Sequence, residues 1–160
     1  MGSVKRELLF EEYLYDEEAI LIALHTSTEL YKIAYGINLR LKLNLRLDRQ
    51  PVELVRKKHK LSFSLYRCRE EYHDLDFYLV SNKVLQKKRE FRQGELLFDE
   101  YSTYFEYLIP ERKDVDCFLK IKGANSAAEW MNTLKSLAFI EAVYSVDKKA
   151  LKSYKNLIFE

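Results

Sequence analysis

Two kinds of apolar pattern alternate along this chain, and one ordered pair of them occurs twice. The first instance opens with the unbroken apolar run Ala19-Ile20-Leu21-Ile22-Ala23-Leu24, which predicts a buried strand. It runs into Thr26-Ser27-Thr28-Glu29, a hydroxyl with a glutamate three residues on, which predicts a capping box with Thr26 as N-cap. Leu30, Ile33, Ala34, Ile37 and Leu41 then fall on one helical stripe, Arg40 and Lys42 suit the negative end of the helix dipole, and Asn44 is a stop. Gly36 costs about 1 kcal/mol relative to Ala inside that helix, so it predicts close approach of a neighbouring backbone or bulky side chain. The second instance is a strand from Cys117 to Lys122, a turn at Gly123-Ala124-Asn125 and a helix opened by Ser126-Ala127-Ala128-Glu129, again a capping box. Its stripe is Ala127, Trp130, Met131, Leu134 and Ala138, and Phe139 to Tyr144 returns as a strand, completing a β-α-β module.

Between the two units the pattern has period two. Leu61, Phe63 and Leu65 alternate with Ser62, Ser64 and Tyr66, and Leu75, Phe77 and Leu79 with Asp74, Asp76 and Tyr78, so each strand is expected to keep one wet face. Glu70 to His73 joins them as a hairpin. Arg56-Lys57-Lys58-His59-Lys60 reads as a solvated hairpin tip, and Gln93-Gly94 turns the chain between Val84–Phe91 and a strand from Tyr101 to Ile109 that Pro110 ends. The tail predicts a short helix with Asp147 as N-cap and Leu151, Tyr154 and Ile158 on one face; Leu8 to Tyr15 reads as an extended edge segment within a loosely held 1–17. Half-wet strands mark antiparallel pairing, and two helical stripes need one face to cover. The expectation is a single α+β domain over 1–160, a two-layer sandwich with both main helices on one face of a mainly antiparallel sheet. Its C-terminal β-α-β module resembles ferredoxin-like and ACT-like folds.

Composition narrows the class. At 48% hydrophobic residues with only 4 Gly and 2 Pro, the chain is neither disordered nor loop-dominated. No apolar run approaches the roughly 20 residues of a membrane span. The start carries no export signal, which implies the cytoplasm, and Cys68 and Cys117 are too far apart for a redox pair, so both are expected as free thiols.

Candidate chemistry is sparse. His25, His59 and His73 fall in separate segments without a ligand motif, so no metal and no cofactor is expected. G-x-S-x-G, P-loop and Rossmann fingerprints are missing, which weighs against an enzyme. Arg67 and Arg69 flank Cys68 but point to the opposite face of a strand, which favours packing over reactivity. Asp114 and Asp116, two apart, either share a proton on one strand face or, the favoured reading, bond local backbone amides.

Between residues 40 and 69 ten cations face only Asp48 and Glu53. A polyanion patch of Arg56, Lys57, Lys58, Lys60, Arg67 and Arg69, with Tyr66, Tyr72 and Tyr78 as stacking surfaces, suggests RNA as one partner. A net charge of only +2 counts against it. The turn Gly123, Asn125 and Ser126 is a candidate anion or ligand site at a helix start, although it lacks the Asp-x-Pro-Gly of ACT domains and Ser126 capping already explains it.

The segment Ile109-Pro110-Glu111-Arg112-Lys113-Asp114-Val115-Asp116-Cys117 resembles the signature of the bacterial IPExxxVDY family. The matching positions are Ile109, Pro110, Glu111, Val115 and Asp116; the family's closing Tyr is Cys117 here. The first strand-helix unit, the Val80-Ser81-Asn82-Lys83 step and the tail from Leu151 to Leu157 are similar too. That family has no established activity, so the resemblance implies an architecture and a compartment, not a reaction. Read from the residues, Pro110 stops one strand, Glu111 and Asp116 satisfy the connecting turn, and Val115 starts the next strand. The expectation is therefore a cytoplasmic, non-enzymatic interaction or regulatory domain, a homodimer with an unidentified protein as a second candidate partner, with nucleic acid disfavoured and no membrane contact.

Overall fold

A computed structural model describes residues 18–90 and 100–159. The first unit forms as β1 (Ala19–His25) and helix α1 (Leu30–Leu41). A two-residue strand β2 (Arg46–Leu47) and the hairpin β3 (Val52–Arg56) and β4 (His59–Phe63) follow. Then come β5 (Leu65–Glu70), β6 (Leu75–Ser81), and a second hairpin of β7 (Lys83–Glu90) and β8 (Glu100–Tyr107). The second unit is β9 (Cys117–Lys122), α2 (Ala128–Lys135) and β10 (Ala142–Ser145). The segment 1–17 and the Gln93-Gly94 turn lie outside the described residues.

Six strands form the main sheet in the order β10-β1-β9-β6-β5-β2, and every neighbouring pair in it is antiparallel. β9 and β10 both run against β1, so they are parallel with β1 between them. By the same reasoning β1 and β6 are parallel across β9, and the two strand-helix-strand units interleave. The fold is mixed α+β with a mainly antiparallel sheet.

Both helices cover one face. Ile33, Ala34 and Ile37 of α1 and Leu134 of α2 join a single core with Ile22 and Leu24 of β1, Phe77 and Leu79 of β6, and Leu119 and Ile121 of β9. Gly36 meets its expected neighbour: a Cβ there would lie 2.4 Å from Cζ of Phe139, so only glycine lets that ring close the gap.

The opposite face departs from the two-layer expectation, because it is dry as well. Leu21 and Ala23, Tyr78 and Val80, and Phe118 pack under Leu61 and Phe63 of the β3–β4 hairpin and under Leu151, Tyr154 and Leu157 of the tail. Tyr78 is thus buried where a wet face was expected, its ring 5.0 Å from that of Phe159. The tail is not one helix but two 3-10 turns, Lys148–Ala150 and Tyr154–Leu157, the first capped by Asp147 as predicted. Lys120, pointing from β9 into this layer, donates Nζ–H to the Leu157 carbonyl at 2.8 Å beneath the rings of Tyr154 and Phe159. A buried ammonium needs such partners.

The predicted capping boxes do not form. α1 begins at Leu30 with no side-chain cap, and α2 begins after Ala127 with only a 3.4 Å approach of the Ala128 amide to Ser126 Oγ. Both hairpin turns around β4 and β5 are where they were expected. Lys57 and Lys58 both take positive φ, as a two-residue primed turn requires.

Candidate functional site

The Ile109–Asp116 segment crosses the end of the sheet where β1 finishes and β9 begins, and its polar groups are tied into the fold. Ile109 and Val115 are fully buried. Pro110 opens a 3-10 turn, Pro110–Arg112, its fixed φ suiting a first helical position. The Glu111 carboxylate accepts from the Ser153 amide at 2.6 Å and the Ser153 hydroxyl at 2.9 Å, which pins the tail to the motif. Burial pushes this carboxyl's pKa up, but the bonds from Ser153, together with backbone amides of Glu111 and Lys152, outweigh it and leave it below its ordinary value.

Asp116 reaches across to the other unit. One carboxylate oxygen accepts from the Thr26 amide at 2.8 Å and the other from Lys83 Nζ at 2.8 Å. Thr26, instead of capping α1, donates its hydroxyl to the Phe139 carbonyl at 2.7 Å and accepts from the Thr28 amide at 3.0 Å. Asp114 and Asp116 therefore hold separate partners and share no proton.

At the centre lies a residue that periodicity did not single out. Asn82, fully buried between β6 and β7, accepts from the Ile109 amide and donates to the Arg112 and Val115 carbonyls, each at 2.8 Å. Its own backbone binds the Asp116 carbonyl and the Leu108 amide. The available signal was an amide side chain set midway through a long extended stretch, where an unpaired polar group would be costly.

Beside the motif, His25, Arg112, Asp114 and Tyr144 come together. The Tyr144 hydroxyl donates to Asp114 at 2.9 Å, and Arg112 donates to Asp114 through two nitrogens at 3.0 and 2.9 Å. Arg112 also donates to the Tyr144 oxygen, and His25 Nε2 lies 2.8 Å from it. The one phenolic proton goes to Asp114, so both lone pairs accept, from Arg112 and from His25 Nε2–H. The bonds from Arg112 foremost hold the Asp114 carboxyl well below the usual carboxylate range, while burial and Asp114 push Tyr144 up. A hydroxyl so saturated has no lone pair left for a reacting atom.

An open cleft of about 250 Å³ adjoins this end, lined by Thr26 to Leu30, Lys83, Phe105 and Asp116, with Cys117 among its walls. Cys117 is buried, and burial pushes its thiol pKa up, away from nucleophilic character. Lys83, the cation of this cleft, is already neutralised by Asp116. Among the described residues, no three His, Cys, Asp or Glu side chains gather to hold a metal ion.

The other sequence candidates do not converge here. The turn of Gly123, Asn125 and Ser126 lies at the far end of β9, with Gly123 at φ 89° and packed so closely that a Cβ would sit 2.7 Å from the Asp74 carbonyl oxygen. Gly123 is thus required by sterics, not by a ligand. The polyanion patch is divided. Arg56 donates to the Leu108 and Tyr107 carbonyls and pairs with Glu106, Lys60 pairs with Glu53, Arg67 with Asp48, and Arg69 with Asp74 and Asp76. Lys57 and Lys58 alone of the six lack an acidic partner among the described residues. The tyrosines do not form a platform either: Tyr66 packs on the helix side of the sheet, Tyr78 is buried on the other side, and Tyr72 sits in the β5–β6 turn.

Besides the scattered Leu47, Val55 and Tyr72, exposed large apolar side chains gather in two places. One is the β7–β8 hairpin, which forms its own two-stranded sheet and shows Leu85, Tyr101, Tyr104 and Phe105 to solvent. The other is the outer side of α1 with Tyr31, Tyr35 and Leu39. Among the described residues, no helix is long and apolar enough to cross a membrane. Comparison with known proteins adds no relative: no protein-family model, no curated protein and no solved structure matches this chain.

Proposed function

We propose that this chain is a non-enzymatic interaction domain of the IPExxxVDY type, cytoplasmic and bacterial, that works as a homodimer. The observation that carries this reading is the division of labour just described. The motif's polar groups are bound within the fold, while exposed apolar side chains collect on the β7–β8 hairpin and the outer side of α1. The strand order supports a ferredoxin-like core: β1, α1, β6, β9, α2 and β10 are arranged as two split β-α-β units. Such a core hosts many functions, so the surfaces, not the fold, carry the argument.

The β7–β8 hairpin is the self-association surface. An isolated two-stranded ribbon is marginal in water, and its outer edges, which pair with no other strand among the described residues, are templates for another strand. Leu85 lies directly opposite Phe105 in the register, giving an apolar pair on one face of the ribbon. A second copy that covers this pair and extends the ribbon satisfies both needs through a two-fold contact. Light scattering across micromolar concentrations tests the reading: twice the chain mass of 19.2 kDa supports it, and the single-chain mass removes the dimer.

A further inference from the structure

The tail, residues 147–159, crosses one face of the sheet without joining it. It leaves the edge strand β10, buries Leu151, Tyr154 and Leu157, and ends with the Phe159 ring against Tyr78 of β6. The Val146 amide still bonds the Leu21 carbonyl, but beyond it no strand pairs with the tail among the described residues. The backbone bonds of its 3-10 turns run within it, from Ala150 to Asp147, Leu151 to Lys148, Asn156 to Ser153 and Ile158 to Lys155. Side chains tie it to the rest: Glu111 to Ser153, Lys120 to the Leu157 carbonyl, and Asn156 Nδ2 to the Leu108 carbonyl at 2.8 Å.

Lys120 lies beneath this segment, 1% exposed, in the middle of an apolar face. Its register partners are Leu21 on one side and Tyr78 on the other, and the next row is Ala23, Phe118 and Val80. A buried ammonium has lost its water, so an apolar side chain packed in its place is often no less stable. Lifting the tail reverses that ranking, because the ammonium is hydrated again whereas an apolar side chain is left in water. Lysine at this position therefore shifts the balance toward the lifted state, relative to an apolar residue of the same length.

The other groups that the tail would leave behind are not stranded. Glu111 is exposed and turns to water. The Leu108 carbonyl keeps Arg56 Nη2 at 3.4 Å. We infer that residues 147–159 are a releasable strap, which lifts from the sheet while the strands stay folded, is hinged where Val146 bonds Leu21, and opens as often as Lys120 sets. This device is separate from the dimer, which uses the β7–β8 hairpin.

Amide hydrogen exchange of the full chain, read by NMR in low, rising urea, tests it. The amides of Ser153, bonded to Glu111, and of Leu151 and Asn156 report the strap, and those of β6 and β9 report the strands. The strap amides exchange faster, through an opening that urea barely accelerates because little surface is exposed, while the strand amides follow global unfolding. Lys120→Met slows strap exchange about tenfold, since methionine fills the same space without a charge to hydrate. A side chain that merely held the tail down would give the opposite sign. Glu111→Gln, which weakens a tether, speeds strap exchange. Circular dichroism establishes that the variants fold, and the wild-type comparison needs neither of them. Strap and strand amides that exchange at one rate with one urea dependence overturn the strap. A folded Lys120→Met chain whose strap exchanges as fast as wild type, or faster, overturns the part assigned to Lys120.

Discussion

The two strand-to-helix turns carry the same local pattern, a hydroxyl followed three residues later by glutamate, and end in different physical situations. At the β1–α1 turn, Thr26 is buried, its amide held by Asp116 and its hydroxyl by the Phe139 carbonyl. At the β9–α2 turn, Ser126 is exposed and makes one long contact with the next turn of chain. Neither glutamate closes a capping box. A cap is worth about 1 kcal/mol, and at Thr26 two tertiary partners replace it, the half-buried Asp116 carboxylate on the amide and the Phe139 carbonyl on the hydroxyl. The same letters become a tertiary clasp at one end of the sheet and a solvent turn at the other. The motif's role follows from lying at the clasped end.

Substitutions can break or sharpen that contrast. The largest effect is expected at Asn82, where Asn82→Ala leaves the buried Ile109 amide and the Val115 carbonyl without their side-chain partner, while the Arg112 carbonyl keeps the Val115 amide. A loss of roughly 3–5 kcal/mol in urea unfolding is expected, since each buried group left unmade costs about 1–3; a loss under 1 would mean the clasp is not what holds this end. Next come the paired turns. Thr26→Ala should cost about 1–2 kcal/mol, while Ser126→Ala should cost less than about 0.5. Equal costs would erase the distinction between the two ends.

The smallest effect is in acid. Glu111 and Asp114 have folded-state pKa values below their ordinary 4.5 and 3.8. Groups with depressed values contribute stability that is fully present above the unfolded pKa and is lost as pH falls through the folded one. The Glu111→Gln, Asp114→Asn double variant should therefore be less stable than wild type at neutral pH, with the gap narrowing as pH drops below about 4. Both carboxylates are partly solvated, so screening keeps the gap small. A gap that widens in acid would reverse the sign of the argument.

What could be read from the chain alone follows the range of the interactions. The strand of Ala19 to Leu24, both helices, the Lys57-Lys58 turn and the glycine contact at Gly36 rest on periodicity and local sterics, and all are present. Tyr78 was misplaced because its strand alternates like a half-wet one. The β3–β4 hairpin and the tail, which folds back from some 75 residues later, together shut out the water. The cationic stretch from Arg56 to Arg69 looked like one patch in one dimension, but strand pairing sets Arg67 against Asp48 and Arg69 against Asp74 and Asp76. The role of Asn82 was hidden for the complementary reason. Its three side-chain partners come from residues 27 to 33 positions away, and no local pattern encodes them. The turn at Pro110 and the buried Val115 were legible; the expectation that Glu111, Asp114 and Asp116 would satisfy the local turn was not met, because they bond Ser153, Arg112 with Tyr144, and Thr26 with Lys83 instead.

The motif residues are bound into the fold, and the β7–β8 hairpin is the contact we propose between two copies. The most direct measurement is the solution mass, by light scattering at micromolar concentration, of wild type beside Leu85→Lys, with circular dichroism showing that both are folded. The account predicts twice the mass of one chain for the wild type and one chain for Leu85→Lys. A wild type of single-chain mass, or a Leu85→Lys chain that stays paired, would contradict it.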